Sequence, residues 1–177
     1  MRILVALDGS RLSERALDGV LSLEPHETDE ILLVTVLNAA DIHETWRESP
    51  TATTDTPRVV PIGQVPPISV HGPGAAVEDR NQALERARAE TTDYLEGCRS
   101  RLPAGVPARV IVAWADSAAE GIADVAQGEG AGLVVLGTHG RTGLTRLLMG
   151  SVAERVLRTS PVPVVLIREG MTAAAPE

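Results

Sequence analysis

Five short apolar runs constrain the fold of this 177-residue chain more than any other feature of its sequence. None of them alternates apolar with polar residues, which is typical of strands buried on both faces of a parallel sheet. The runs lie at residues 3–7, 31–37, 109–113, 133–136 and 164–167. Helical patterns separate them. We therefore expect an α/β domain with a single doubly wound, open, parallel five-stranded sheet, helices on both faces and a Rossmann-like architecture.

The helix boundaries carry their own signals. Ser10 is placed to cap a helix after the first run, and "SAAE" at residues 117–120 has the pattern of a capping box. A longer helix is expected at about residues 76–102, and a last one begins after Gly150. The residues of that last helix that we expect to face the core are Val152, Val156 and Leu157. Pro163 places the fifth run at an edge of the sheet, because proline cannot donate to a strand ladder.

Residues 38–74 fit neither a strand nor a helix. They hold half of the twelve prolines and form either a functional flap or a partly disordered insert. Their histidines lack a carboxylate or cysteine at the usual ligand spacing, so no metal site is predicted there. We expect one domain at residues 1–170 that includes this insert, followed by a flexible tail at residues 171–177.

Charge and composition exclude several classes of function. The net charge of −8 argues against nucleic acid or an anionic membrane as a main partner. Lysine does not occur, which excludes a Walker-type phosphate loop and Schiff-base chemistry. One cysteine, Cys98, leaves no disulfide within the chain, and we expect it to be buried. With no long apolar segment and no pattern of a signal peptide, we expect a cytoplasmic protein.

Two loops that follow apolar runs carry candidate binding residues. After the first run comes "DGS", where Asp8 and Ser10 either start a helix or, in the case of Asp8, accept hydrogen bonds from ribose hydroxyls. After the fourth run comes "GTHGRTGLTRLLMGS", with the spacing G-x-x-G-x₉-G-S from Gly137 to Ser151. Glycines allow backbone N–H groups to approach an anion, and the helix that begins after Gly150 points its amino end at the same place.

Side chains in the second loop add to this pattern. Arg141 and Arg146 could donate charge-assisted hydrogen bonds to phosphate, and the Ser151 hydroxyl could cap the helix and contact phosphate together. His139 either bonds to backbone or water, or acts as an acid or base. We interpret the loop as a candidate binding site for a phosphate or another anion.

The chain resembles the universal stress protein family. The resemblance rests on "LVALDGS" at the start and "VVLGTHGRTGLTRLLMGSVAERVLRTSPVPVVLI" near the end, and it covers the chain except the insert and the tail. It implies the strand order 3-2-1-4-5, which sets the two loops at one crevice. In ATP-binding members this glycine pattern holds the phosphates and ribose.

The resemblance also implies which residues bind nucleotide. Asp8 would lie beside ribose and adenine, and the backbone at Val36 would read adenine. Ala153 and Thr35 depart from residues frequent in ATP-binding members, which have a hydroxyl and a histidine there. The expected binding residues are Ala6, Leu7, Asp8, Ser10, Val36, Leu136, Gly137, His139, Gly140, Arg141, Gly150, Ser151 and Val152.

Three functions follow from this reading. The first is an ATP-binding regulator or binding module of the stress response, with or without Mg²⁺, whose downstream protein partner the sequence does not name. The second is an enzyme of the same architecture with at most slow ATP hydrolysis, and the third is an interaction protein that binds no nucleotide. We also expect a homodimer joined along residues 162–167, because an apolar sheet edge invites pairing and many relatives dimerise there.

Overall fold

Strands and helices alternate as the sequence predicts. The computed structural model describes residues 1–23, 25–40, 80–138 and 149–167, and within them five strands form one sheet with four helices. The elements are β1 (Arg2–Ala6), α1 (Arg11–Leu21), β2 (Glu30–Leu37), α2 (Arg80–Arg99), β3 (Ala108–Trp114), α3 (Ala118–Gly128), β4 (Leu133–Gly137), α4 (Ser151–Thr159) and β5 (Val164–Ile167). No helix in these ranges is both long enough and apolar enough to cross a bilayer.

The sheet has the order β3-β2-β1-β4-β5, with all neighbours parallel. This confirms the predicted fold and places β5 at an edge. The chain moves from β1 outward to β3 and then crosses back to β4, so the strand order reverses between β1 and β4. Ala6 lies opposite Leu136 in this central pair. A reversal of this kind opens a crevice at the carboxyl ends of the two strands.

The sheet separates two apolar layers. Ile3 and Val5 face α1 and α2, whereas Leu4 and Ala6 face α3 and α4. Successive side chains of a strand point to opposite faces, so an uninterrupted aliphatic run supplies both layers. The run therefore explains why helices cover both sides.

The expectation of burial on both faces is wrong for β3. Its residues are half-buried or exposed, whereas the middle of β2 is fully buried. β3 lies at the edge of the sheet and has a neighbouring strand on one side only, so solvent reaches its open side.

The last helix, α4, departs from the predicted orientation. Ala153 and Val156 are buried against the sheet. Of the three residues predicted to face the core, Val156 does so. Val152 and Leu157 are 40% and 50% exposed, so their predicted inward placement is wrong. A nine-residue helix contacts the sheet through one narrow stripe, and the three-residue step from Ala153 to Val156 forms that stripe.

Ion pairs join the amino ends of the first three strands. Glu30 accepts hydrogen bonds from Arg2 at 2.9 Å and from Arg109 at 2.5 Å, and Arg109 also reaches Glu129 at 2.8 Å. The guanidinium of Arg109, and then that of Arg2, hold the pKa of Glu30 below its usual value. These side chains are partly exposed, so water screens the pairs and each contributes little to stability.

Cys98 is buried on α2, as predicted. Burial raises the pKa of its thiol. The thiolate, which is the reactive form of cysteine, is therefore disfavoured.

The close approach of α1 to β5 generates a prediction on stability. A Cβ added at Gly19 would lie 2.5 Å from Ile167 Cδ1 and 2.6 Å from its Cγ1, whereas a Cβ at Gly97 of α2 would meet nothing within 4 Å. We expect Gly19→Val to lower the free energy of unfolding by about 1–3 kcal/mol through overpacking. Gly97→Val, the matched control, should change it by less than about 0.5 kcal/mol. Urea denaturation measures both, and equal effects would contradict the proposed packing.

The two serine caps generate a second prediction. The Ser10 side chain accepts a hydrogen bond from Ser13 N at the start of α1, as the sequence predicts. Ser117 is the cap residue of α3, but its side chain makes no capping bond, so that part of the capping-box prediction is wrong. We expect Ser10→Ala to cost about 1 kcal/mol of stability and Ser117→Ala to cost a few tenths at most. Thermal unfolding compares them, and a larger loss in Ser117→Ala would reverse the assignment.

Candidate functional site

The loops that follow β1 and β4 leave the sheet side by side. Ala6 and Leu136 are paired across the two strands, and the predicted "DGS" and glycine-rich loops begin directly after them. The side chains of Ala6, Leu7 and Leu136 are buried in the two apolar layers. These three predicted residues can therefore meet a ligand only through their backbone.

A closed set of hydrogen bonds shapes the loop after β1. Asp8 Oδ1 accepts from Ser10 N at 3.0 Å and from Ser10 Oγ at 2.7 Å. Between these residues Gly9 is buried with φ of 80°, a conformation that favours glycine. The structure therefore realises the helix-starting interpretation of "DGS", and the same bonds fix the direction of the half-buried Asp8 carboxylate.

Two hydroxyl groups to which the sequence analysis assigned no hydrogen-bond partner hold the base of this loop. Ser13 Oγ accepts from Asp8 N at 3.1 Å and donates to Ser10 O at 2.9 Å. Thr35 Oγ1 donates to Leu7 O at 2.8 Å. Thr35 is the position noted for departing from a frequent histidine, but a lone polar residue in an apolar run does not indicate its partner.

The end of β4 and the start of α4 meet at Thr138. Thr138 N donates to Ile167 O at 2.9 Å, and Thr138 O accepts from Gly150 N at 2.7 Å. The two ends of the glycine-rich loop are thus joined by one short hydrogen bond. This bond sets the amino end of α4 beside the carboxyl end of β4, as the motif predicts.

Within the described residues, no side chain caps the amino end of α4. Gly150 is the cap residue, with φ of −60° and ψ of 145°, and Ser151 and Val152 follow it with exposed side chains. The first N–H groups of a helix have no partner within it and attract anions. Because φ is negative, the backbone conformation at position 150 does not itself require glycine.

Part of the predicted site lies outside the described residues. His139, Gly140, Arg141 and Arg146 belong to that part, so no position is given for them. Gly137 is described and half-buried at the end of β4.

Val36 lies on the neighbouring strand, beyond the last pairing of β1 with β2. That pairing ends where Leu7 N donates to Val34 O, whereas Leu37 O accepts from Ala115 on the β3 side. Backbone groups alternate sides along a strand, so those of Val36 face the β1 side, as those of Val34 do. Its side chain packs on α3, where a Cβ added at Gly121 would lie 2.6 Å from Val36 Cγ1. The backbone groups of Val36 therefore face the β1 side of β2, beyond the point where pairing with β1 ends.

The charged groups near α4 are paired. Glu154, in its first turn, bonds Arg158 at 2.6 Å, and Arg155 bonds Glu120 of α3. Among the described residues no group of three or more His, Cys, Asp or Glu side chains could hold a metal ion. The described part of the crevice thus offers backbone N–H groups and one oriented carboxylate.

Comparisons with known proteins agree with this fold. Universal stress protein YxiE of Bacillus subtilis is 29% identical over 168 residues, which are 94% of this chain and 98% of that protein. Universal stress protein MJ0577 of Methanocaldococcus jannaschii is 25% identical over 169 residues, or 94% of each protein. Universal stress protein MJ0531 of the same organism is 33% identical over 92 residues, which are 52% of this chain and 48% of that protein.

Solved structures show the same architecture. The structure of MJ0577 matches with a TM-score of 0.69 at 22% identity, over 97% of each chain. A universal stress protein solved in complex with cAMP matches with a TM-score of 0.51 at 18% identity, over 94% of this chain and 96% of that one. At these identities the likeness shows the fold.

The family itself follows from the sequence match. The family model described as the universal stress protein family matches residues 50–168, which include β3, β4 and β5 and the whole glycine-rich pattern. Most of the chain is covered by this match, and the relatives named above carry the same family name. The chain therefore belongs to the universal stress protein family.

Proposed function

We propose that the chain binds ATP at the carboxyl edge between β1 and β4 and acts as a cytoplasmic, nucleotide-dependent regulator or binding module of the stress response. One observation carries the proposal. The oriented carboxylate of Asp8 and the amino end of α4, which has no side-chain cap, lie at the ends of two adjacent central strands. A nucleotide carries both hydroxyl donors, which a carboxylate can accept, and phosphate anions, which a helix amino end attracts.

Each part of ATP has a proposed partner. The N–H groups that follow Gly150 would receive phosphate, with Ser151 and the predicted Gly137, His139, Gly140 and Arg141 around it. A carboxylate accepts up to about four hydrogen bonds, so ribose hydroxyls can donate to Asp8 while Ser10 holds it. Adenine would meet the backbone of Val36. The universal stress protein solved with cAMP supports an adenine nucleotide as the ligand class.

Binding without efficient hydrolysis is the form of the proposal that the charges support. Phosphoryl transfer needs carboxylates that hold metal ions and a group that orients the nucleophile. Two carboxylates beside the elements of the proposed site are engaged, Asp8 with Ser10 and Glu154 with Arg158. We therefore propose that any Mg²⁺ would arrive with the phosphates and that hydrolysis is slow at most.

The test is a binding measurement with Gly150→Val. Valine adopts the extended conformation of Gly150 readily, so the variant should stay folded, but its side chain would fill the space beside the first N–H groups of α4. Loss of two hydrogen bonds to charged phosphate, at about 1.5 kcal/mol or more each, predicts at least about a hundredfold weaker ATP binding. Isothermal titration calorimetry measures the affinity, with Gly97→Val as the control that should bind like the wild type.

The same samples separate the three functions. After hours with ATP, protein-bound nucleotide and free phosphate are measured. Bound, intact ATP supports the regulator, and continued phosphate release over many turnovers would establish the enzyme instead. If the wild type holds no nucleotide, the remaining function is that of an interaction protein that binds no nucleotide. Unchanged ATP affinity in Gly150→Val would remove α4 from the site.

We also propose a homodimer in which β5 pairs with its copy across a two-fold axis. Within the described residues β5 pairs with β4 alone, so its outer edge has no strand partner there. The carbonyl of Pro163 accepts from Val134 of β4, and that of Ile167 accepts from Thr138, the residue after β4. Backbone groups alternate sides along a strand, so those of Val164 and Leu166 face outward. An open apolar edge of this kind favours pairing with another chain.

The register selects the substitution that tests the dimer. Leu166→Pro removes an outward N–H, whereas proline at Val165 would remove a bond to β4 and disturb the sheet itself. We expect Leu166→Pro to be a monomer at micromolar concentration by light scattering. Leu166→Ala keeps the N–H and should remain a dimer. A monomeric wild type, or a Leu166→Pro variant that stays dimeric, would contradict this interface.

A further inference from the structure

Among the described residues, one peptide group is held at both ends by buried hydroxyls. Ser13 and Thr35 are the buried polar side chains of the described residues, at 5% and 4% exposure. Thr35 Oγ1 donates to the carbonyl of Leu7, and the N–H of Asp8 donates to Ser13 Oγ. That carbonyl and that N–H belong to the same planar peptide unit. Side chains from β2 and α1 therefore grip the unit from two directions.

This peptide unit lies where the strand ladder stops. Pairing of β1 with β2 ends at the bond from Leu7 N to Val34 O, so the next carbonyl and N–H of the chain need other partners. Leaving either group buried without a hydrogen bond would be costly. The two hydroxyls satisfy both groups and add no charge beside a site for an anion.

These two hydrogen bonds determine the direction in which the Asp8 side chain points. Because the peptide unit is planar, bonds at both of its ends fix its rotation, and this rotation sets where the side chain of Asp8 leaves the backbone. Ser13 extends the control, since it also donates to Ser10 O and its N–H donates to Ser10 Oγ. Ser10 in turn donates to the Asp8 carboxylate. Backbone and carboxylate are thus held by one connected set of bonds.

We propose that Ser13 and Thr35 are positioning residues that preorganise Asp8 for a ribose, an inference that rests on the proposed ATP function. Both side chains are buried and act through Leu7, Asp8 and Ser10. A carboxylate that is already oriented spends no free energy on ordering when the nucleotide arrives. The two hydroxyls thereby raise affinity for nucleotides that carry ribose hydroxyls.

The test compares ATP with 2′,3′-dideoxy-ATP, which keeps the base and the phosphates but lacks both ribose hydroxyls. We expect Thr35→Val and Ser13→Ala each to weaken ATP binding about tenfold and dideoxy-ATP binding less than about twofold. Thr35→Ser, which keeps the hydroxyl, should restore the wild-type preference. In an Asp8→Ala background, Thr35→Val should cause no further loss of ATP affinity, because its partner in ribose binding is gone.

Matched controls remove the same groups elsewhere. Thr91 Oγ1 donates to Ala87 O at 2.7 Å on α2, and Ser22 Oγ donates to Asp18 O at 2.9 Å after α1. Thr91→Val and Ser22→Ala should keep the wild-type affinities for both nucleotides. Should Thr35→Val fail to fold, Ser13→Ala gives the same test from α1.

The possible outcomes distinguish failure of this inference from failure of the proposed ATP binding. A wild type that binds neither nucleotide contradicts the proposed function, and the role toward ribose falls with it. The positioning role alone is overturned if the wild type binds ATP but the variants keep its ratio of affinities for ATP and dideoxy-ATP, including when they lose affinity for both equally. The positioning role is supported if Thr35→Val loses the preference for ATP over dideoxy-ATP and Thr35→Ser recovers it.

Discussion

Burial of the two central strands on both faces is the constraint on which the rest of the structure depends. Leu4 and Val5 of β1, and Val134 and Val135 of β4, are completely shielded from water. A strand that is apolar on both faces needs helices on both sides, and parallel strands need long crossovers to supply them. The crossover that changes direction between β1 and β4 then leaves a crevice at their carboxyl ends. The candidate site is a consequence of how the core is covered.

The two ends of the sheet satisfy their polar groups in different ways. At the amino end, charged pairs that neutralise one another join Arg2 and Arg109 to Glu30 and Glu129. At the carboxyl end, neutral hydroxyls of Ser13 and Thr35 complete the bonds of the β1 loop. The backbone before Asp8 is thus completed by neutral groups, whereas the amino ends of the strands are joined by charged ones.

The sequence predicted most of the fold because its signals were local or came from a long, specific motif. The five runs located the strands, and the family resemblance supplied their order. Failures occurred where a local pattern is ambiguous. Val152 and Leu157 are apolar and helical, but in so short a helix the spacing does not decide which stripe faces the sheet.

The candidate site was predicted only in part. Its glycines and Asp8 belong to recognisable motifs, whereas Thr35 acts on Leu7, 28 residues away. No spacing rule links those two positions, since the contact exists only after β1 and β2 pair. The role of Ser13 is equally hard to predict from the sequence, because a serine in the first turn of a helix is ordinary in any protein.

The bond between Thr138 and Gly150 has a consequence for how this fold diversifies. It pins both ends of an eleven-residue segment, 139–149, to the same point of the scaffold, and Thr138 is itself tied to β5. Closing a loop whose ends are already fixed costs only a little more when residues are added, since the entropy grows slowly with length. Insertions, deletions and substitutions within the segment would therefore leave the strands and α4 in place. The sequence of this segment can therefore change almost independently of the sequence that folds the domain.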